Sequence, residues 1–528
     1  MDEFDVIVVG AGSAGSAVAG RLVKSGRSVC LLEAGGRNDS LLVKTPGFMP
    51  FLRNASNYRY ETVPQKGLNG RSGYQPRGRG LGGSSAINAM LYIRGNPWDY
   101  DNWAALGCTG WSWNEVLPVF KRSEKNVRGA DRYHGAEGPL WVSDQRWPNR
   151  GSLAFIEAAA QLQLPRNLDF NGEKQDGFGL YQVTQRHGER WSAARAYIEP
   201  LRRDRRLDVR IGVTVQRILI EDGRATGAIY TVAGKQRTVK ARGAVVVSGG
   251  AFNSPQLLML SGIGPGVHLR EHGIDVVRDC AAVGSDLQDH VDYVSSWETQ
   301  SREFFGDSLQ GTASMARAVW EHRRRRTGPM TTPYAETGGF WRLTPDAPAP
   351  DVQWHFVPAM LEDHGRLKVK GHGFSLHACV LRPESRGTVR LAGPDAGMAP
   401  RIDPNFLDDE RDMAVLRKGV RMSHRIVAAP ALAVYEPRDR YPIDLEDDAA
   451  LDHLIRSRAD TVYHPVGTCR MGGDDASVVD PMLRLRGVAG LWVADASVMP
   501  RLISGNTNAP SIMIGERCAD FVEAALKA

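Results

Sequence analysis

The first patterned stretch of the chain is an unbroken apolar run, Val6-Ile7-Val8-Val9, too continuous for a strand with one face in water. Four β-branched residues in a row mark a strand buried on both faces of a parallel sheet. The run empties into Gly10-Ala11-Gly12-Ser13-Ala14-Gly15. Small residues (Ala14, Ala17, Ala19, Gly20) then alternate with Val18 and Leu22, as in a helix packed closely on a sheet. A second apolar stretch, residues 28–32, delivers Glu33. Farther along, residues 207–220 alternate like strands, Glu221-Asp222-Gly223 marks a turn, and another strand runs to Val232. Residues 244–247 read as a buried strand leading into small residues and an amphipathic helix. No apolar run reaches the length of a membrane span, so no transmembrane helix is expected.

Strand, glycine turn, helix, strand and acid together form the dinucleotide-binding fingerprint in its required order. Gly10 allows the tight turn, Gly12 lets backbone approach a pyrophosphate, and Gly15 lets helix and strand touch. The helix start at Ser13 and Ala14 offers unpaired N–H groups and a positive dipole end to the phosphates. Glu33 is placed to accept from the adenosine ribose hydroxyls, and its charge disfavours a 2′-phosphate. The position of the motif, close to Met1, favours FAD-type architectures, while these residues alone leave NAD open.

Composition adds mostly exclusions. The 528-residue chain is 42% hydrophobic and 24% charged, ordinary for a globular protein of two or more domains. Its net charge of +6 does not argue for nucleic acid. One dense basic run, Arg323-Arg324-Arg325-Arg326 after His322, reads as a solvated helix end, with peripheral contact to a membrane surface as the alternative. The six cysteines (Cys30, Cys108, Cys280, Cys379, Cys469, Cys518) form no CxxC pair, so neither metal spacing nor a redox dithiol is present. A reduced cytoplasmic setting, peripheral to the inner membrane face at most, is expected, since the N-terminus lacks the layout of a signal peptide.

Several motifs then occur in series. Gly78-Arg79-Gly80-Leu81-Gly82-Gly83-Ser84-Ser85-Ala86-Ile87-Asn88 suggests a second backbone pass beside a ligand. It continues into Tyr92-Ile93-Arg94-Gly95-Asn96-Pro97-Trp98-Asp99-Tyr100. Gly249-Gly250-Ala251-Phe252-Asn253-Ser254-Pro255 follows the strand at 244–247, and Gly284-Ser285-Asp286-Leu287-Gln288-Asp289-His290 lies beyond it. Near the C-terminus stand Tyr463-His464-Pro465-Val466-Gly467-Thr468, then Trp492-Val493-Ala494-Asp495-Ala496-Ser497, then Gly505-Asn506-Thr507-Asn508-Ala509-Pro510. In order and spacing these resemble the signatures of the glucose–methanol–choline (GMC) family of flavin oxidoreductases over essentially the full length. The likeness is greatest to its bacterial choline-dehydrogenase-like branch.

The resemblance implies an α/β fold: an FAD-binding dinucleotide fold of parallel sheet with crossover helices, plus a substrate domain of antiparallel sheet and helices. The FAD domain would be discontinuous, at 1–150, 194–295 and 461–528, with the substrate domain at 151–193 and 296–460. It further implies His464 as general base and Asn506 as hydrogen-bond donor to the alkoxide of an alcohol being oxidised to the aldehyde. An imidazole suits proton removal near neutral pH, and an amide N–H steadies developing charge without taking a proton. Cofactor contacts are implied for Gly10, Gly12, Ser13, Ala14, Gly15, Glu33, Ala34, Gly82, Gly83, Ser84, Asn88 and Ala89. Val215 would touch adenine through its backbone, Asp495 and Ala496 would lie at the ribityl–pyrophosphate, and Asn508 near the flavin ring. Relatives with covalent FAD carry histidine where this chain has Ile87, so non-covalent FAD is expected. The electron acceptor is left open among a quinone, a dye and oxygen, and a hydroxynitrile lyase with redox-silent FAD is the alternative reading.

Substrate identity is open at this level. Choline would need an aromatic cage and a carboxylate for its ammonium, for which Glu336, Tyr334, Trp354 and Tyr463 are the candidates. Aliphatic or aryl primary alcohols fit the same motifs.

Overall fold

A computed structural model describes residues 2–52 and 56–528, apart from the side chains of 309 and 310. Its first strand, Glu3–Val9, sits at the centre of a seven-stranded sheet. It pairs in parallel with Val29–Glu33 on one side and with Lys235–Val247 on the other. Leu207–Ile211 extends the sheet beyond Val29–Glu33, and Leu491–Val493 pairs in parallel with residues 245–247. The N-terminal half of the long strand instead joins the antiparallel pair Val213–Glu221 and Arg224–Val232. Val6, Ile7, Val8 and the opposing Val245 and Val246 are fully buried, as the continuous apolar run requires.

The glycine turn leads into helix Ser13–Lys24. A Cβ on Gly15 would come within 1.9 Å of the Gly10 carbonyl oxygen, and one on Gly515 within 2.4 Å of the Ala14 oxygen. The absent methyl at Gly15 lets the helix close onto the strand, and that at Gly515 lets the C-terminal helix Asn508–Lys527 lie directly on Ser13–Lys24. Buried Glu516 fixes the pair, accepting from Arg21 Nε at 2.8 Å and from the Tyr197 hydroxyl at 2.6 Å. Both helices thus begin at the same end of the sheet, and the Ser13 hydroxyl donates to Asn508 Oδ1 at 2.7 Å.

A second, eight-stranded sheet is antiparallel throughout: six strands run in the order Arg438–Asp439, Val291–Thr299, Gly371–Val380, Val352–Val357, Thr337–Trp341, Gly177–Leu180, while Asp460–Thr461 pairs with Val291–Thr299 and Gly306–Asp307 with Gly371–Val380. The parallel sheet with its helices and this antiparallel sheet realise the expected fold class. Alternation decides what each residue of its strands meets. Val352, Trp354 and Phe356 pack with Phe374, Leu376 and Ala378 against helices Arg150–Gln161 and Glu410–Ala428. On the other face of the same strands lie Gln353, His355, Val357 and His377, toward the cavity between the sheets. Among the described residues no helix is long and apolar enough to cross a membrane.

Candidate active site

The cavity has a volume of about 950 Å³ and runs from the glycine turn to the histidines of the antiparallel sheet. At its first end Gly10, Gly12, Ser13 and Ala14 form the wall, with Glu33 and Ala34 beside them. A Cβ on Gly12 would meet nothing within 4 Å, although the backbone around it is tightly packed. That gap, facing two helix N-termini, is the cradle an anionic pyrophosphate requires. Val215 lines the same region where a register shift interrupts the pairing of its strand. Gly83, Ser84, Asn88 and Ala89 form the wall facing the glycine turn, and Asp495, Ala496 and Asn508 complete it. The residues present therefore fit FAD, which this region would hold between the glycine turn and the wall of Gly83, Ser84, Asn88 and Ala89.

Several expected contacts have a second occupation. Glu33 accepts from the backbone N–H groups of Ala11, Gly35 and Gly80 at 2.8–2.9 Å, so it also ties three loops together. Oε1 accepts from both Gly35 and Gly80, whereas Oε2 accepts from Ala11 alone and keeps a further lone pair for a ribose hydroxyl. Asp495 accepts from Gly250 N and Ser497 N, both at 2.8 Å, and holds the turns on which Ala496 and Gly250 sit. Gly15 and Gly82 lie off the cavity wall: Gly15 acts by packing, and a Cβ on Gly82 would meet the Ser192 side chain. Asn88 is held by Arg190, a buried guanidinium that donates to Asn88 Oδ1 at 2.9 Å and, through Nε, to the Val43 carbonyl. Burial without an acidic partner pulls the pKa of Arg190 down to about 9.

At the other end His464 and Asn506, from different segments, meet with Asn506 Nδ2 3.2 Å from His464 Nε2. Tyr463 precedes His464 with φ of +78°, a conformation that costs a bulky residue energy and is held by its surroundings. Here Tyr463 N donates to Thr461 Oγ1, His464 N donates to Asp289 Oδ1 at 2.8 Å, and Arg77 donates to the Tyr463 carbonyl at 3.0 Å. Burial pushes the Asp289 carboxyl up to about 6 against the opposing pull of Arg77.

The ring of His464 rests on His290, the two Nδ1 atoms 2.9 Å apart. His290 Nε2 faces the Leu381 carbonyl at 3.1 Å and must donate to it, since a carbonyl only accepts. Burial brings the pKa of His290 down to about 3, so the ring is neutral and its Nδ1 carries a lone pair. His464 Nδ1–H therefore donates to His290, and the network assigns the lone pair of His464 to Nε2, toward Asn506 and the cavity. Burial, with His290, His355 and Arg77 adding to it, holds the His464 pKa well below the usual histidine range.

Asn506 is oriented in turn. Gln353 Nε2 donates to Asn506 Oδ1 at 3.2 Å, which leaves Nδ2–H as the group presented to His464. His355, two positions on along the same face, lines the cavity buried with neither ring nitrogen hydrogen-bonded. A buried polar ring without a partner is a place for a ligand's polar atom. Sequence reasoning missed His290, Asp289, Gln353 and His355. The first two lay inside the Gly284–His290 motif, to which no site role was given, and the last two could have been found from the period-two pattern of residues 352–357.

The proposed cage does not assemble. Trp354 points to the helix side, where its indole N–H donates to Ser423 Oγ at 3.0 Å. Glu336 accepts from Asn149 N and Ser152 Oγ, both at 2.7 Å, and from Thr332 Oγ1. It is fully buried at the start of helix Arg150–Gln161 and does not reach the cavity. Tyr334 and Tyr463 do line it.

A nucleotide cradle joined to a histidine–amide pair on an apolar cavity defines a flavin-dependent oxidoreductase. The chain belongs to the GMC oxidoreductase family, whose two models match residues 4–292 and 383–515. It is 43% identical to the alcohol dehydrogenase [acceptor] of Pseudomonas putida, across 98% of this chain and 95% of that one. It is 40% identical to the mitochondrial choline dehydrogenase of Homo sapiens, across 99% and 90% respectively. Among solved structures, pyridoxine 4-oxidase from Mesorbium loti superposes with a TM-score of 0.88 at 31% identity, covering 98% of each chain. The protein is thus an FAD-dependent enzyme of this family.

Proposed function

We propose that the enzyme oxidises a primary alcohol to the aldehyde, with His464 taking the hydroxyl proton and Asn506 steadying the oxygen. The observation that carries this reading is the hydrogen-bonded pair of His464 Nε2 and Asn506 Nδ2, a lone pair and an N–H side by side at 3.2 Å on the cavity wall. A hydroxyl placed against both donates to the first and accepts from the second, using one donor and one of two lone pairs. As the O–H bond breaks, its proton goes to Nε2 and the charge left on oxygen is met by the amide N–H. FAD, when bound, supplies the two-electron acceptor that takes the α-hydrogen as hydride. Burial first, with Arg77 nearby, disfavours the imidazolium of His464 and so favours the neutral ring that can receive the proton.

The same reading divides the chain into an FAD domain (1–150, 194–295, 461–528) and a substrate domain (151–193, 296–460), and passes the electrons on to a quinone, a dye or oxygen. Ile87, which lines the cavity beside Asn88, offers no nucleophile, so the FAD is held without a covalent bond. The test is anaerobic mixing of the flavoprotein with primary alcohols while the flavin band is recorded. Bleaching in wild type and its loss in His464→Ala is the expected result; equal bleaching in both removes His464 as the base. Admission of air then separates an oxidase, which recolours at once, from a dehydrogenase.

A further inference from the structure

The catalytic end of the cavity has walls of one chemical kind. Met90, Leu91, Tyr334, Ala335, Val357 and Val462 belong to one hydrophobic cluster and line the cavity beside His464 and His355. Among the described residues, the carboxylates on the cavity surface are Glu33, Glu61 and Asp495. Glu33 and Asp495 are bound to backbone N–H groups at the nucleotide end. Glu61 is exposed, within electrostatic reach of Arg366.

Acids do surround the histidines, but each stands behind the wall and bonds to groups other than a ligand, Asp292 through one oxygen only. Asp289 holds Thr461 and the His464 backbone, Asp292 accepts from His377 Nδ1 at 2.6 Å, and Asp460 meets His364 Nε2 at 3.1 Å. Glu336 serves the start of helix Arg150–Gln161. The permanently charged side chains that line this end are cations, Arg77 against the Tyr463 carbonyl and Arg366 over the Tyr74 ring.

A fixed cation entering such a pocket sheds water and meets no counterion, and a buried unpaired charge is heavily penalised. Two tyrosine faces, each hydroxyl already hydrogen-bonded, do not replace the missing carboxylate. An uncharged chain gains from the same wall with each methylene it buries. We propose that the substrate is an uncharged primary alcohol with an apolar chain, and that the pocket discriminates against quaternary ammonium alcohols such as choline. This rests on the alcohol-oxidation reading above and names the substrate class of that site.

Choline and 3,3-dimethylbutan-1-ol are the decisive probes, because they share size and shape and differ in one positive charge. With the FAD-loaded enzyme and either an artificial dye or oxygen as acceptor, kcat/KM for the neutral isostere is expected to exceed that for choline by at least about 100-fold, the penalty of an unpaired charge. Across ethanol, butan-1-ol and hexan-1-ol it is expected to rise by about fourfold per methylene buried. Glu336→Gln is expected to leave the ratio of the two isosteres unchanged, and Val357→Asp, which sets a carboxylate on the wall, to move it toward choline. If Val357→Asp does not fold, the isostere pair in the wild type decides alone. Choline turned over as fast as its isostere, or a selective loss of choline in Glu336→Gln, overturns the proposal. If choline wins and His464→Ala still abolishes flavin reduction, only the substrate class fails. If no alcohol bleaches the flavin, the alcohol-oxidation reading fails with it.

Discussion

His290 and His464 face each other through their Nδ1 atoms at 2.9 Å, with ring planes nearly perpendicular. Because His290 is committed to the Leu381 carbonyl through Nε2, it accepts at Nδ1 and sets the tautomer of its neighbour. In the proposed mechanism the histidine base needs its lone pair on the nitrogen that faces substrate, and a second histidine would fulfil the orienting role an acid has in many hydrolases. An acid in that place would attract a proton onto His464, whereas a neutral imidazole leaves its basicity low.

The pH profile follows from that arrangement. Protonation at Nε2 removes the base, so activity falls as pH drops through the pKa of His464, which is held well below its ordinary 6.5. The acid limb of kcat/KM is therefore expected below pH 6.5, with a level rate above it until another group titrates. His290→Ala removes the acceptor that fixes the His464 tautomer. Its kcat is expected to fall by on the order of 10- to 100-fold, part of the range a positioned base contributes, while KM for the alcohol stays within a factor of a few. An acid limb at or above 6.5 in wild type would contradict the neutral pair.

Asn506 has a separate signature. Removing its N–H in Asn506→Ala takes away a donor aimed at developing charge, worth on the order of 10²–10³ in kcat. Asn506→Asp replaces the donor with an anion next to His464 and is expected both to slow turnover and to carry the acid limb to higher pH, since a nearby negative charge favours the imidazolium. Gln353→Leu frees the amide to turn over without removing it, so a smaller fall in kcat is expected. Steady-state rates at saturating alcohol across pH separate these cases.

The glycine turn, the two strands that flank it and Glu33 were legible in the sequence because they follow one another within residues 3–33, and the local pattern states the geometry. His464 and Asn506 were legible as residues through the family resemblance. Their support was not: His290 and His464 are 174 positions apart, and Gln353 and Asn506 are 153 apart. Contacts of that span are set by sheet register, and a shift of one residue would have exchanged His355 for Trp354 at the cavity. Trp354 and Glu336 were misplaced for this reason. Glu336 finds its partners 184 and 187 positions away at a helix start that no local pattern links to it.

Retention of the cofactor gives a further test. With Ile87 at the position where a histidine would attach flavin, acid or heat denaturation is expected to release all yellow colour into the supernatant, free of polypeptide. Colour that stays with the precipitated chain would require a covalent bond elsewhere, and mass spectrometry of the denatured protein would locate it.

Gly12 and Gly15 stand three residues apart and are expected to fail in different ways. A side chain at Gly12 enters open space, so Gly12→Val should fold with a melting temperature near that of wild-type apoprotein. It fills the cradle, however, and FAD titration followed by flavin fluorescence is expected to show binding weakened by at least about 100-fold, the loss of contacts worth roughly 2.7 kcal/mol. A methyl group at Gly15 instead meets the Gly10 carbonyl at 1.9 Å, and helix and strand must separate to admit it. Gly15→Ala is expected to lose about 1–3 kcal/mol of stability, as overpacking does, and to show this in apoprotein with no FAD present. Measuring apoprotein melting and FAD affinity for both variants distinguishes the roles. A Gly12→Val protein that binds FAD normally would place the pyrophosphate away from this turn.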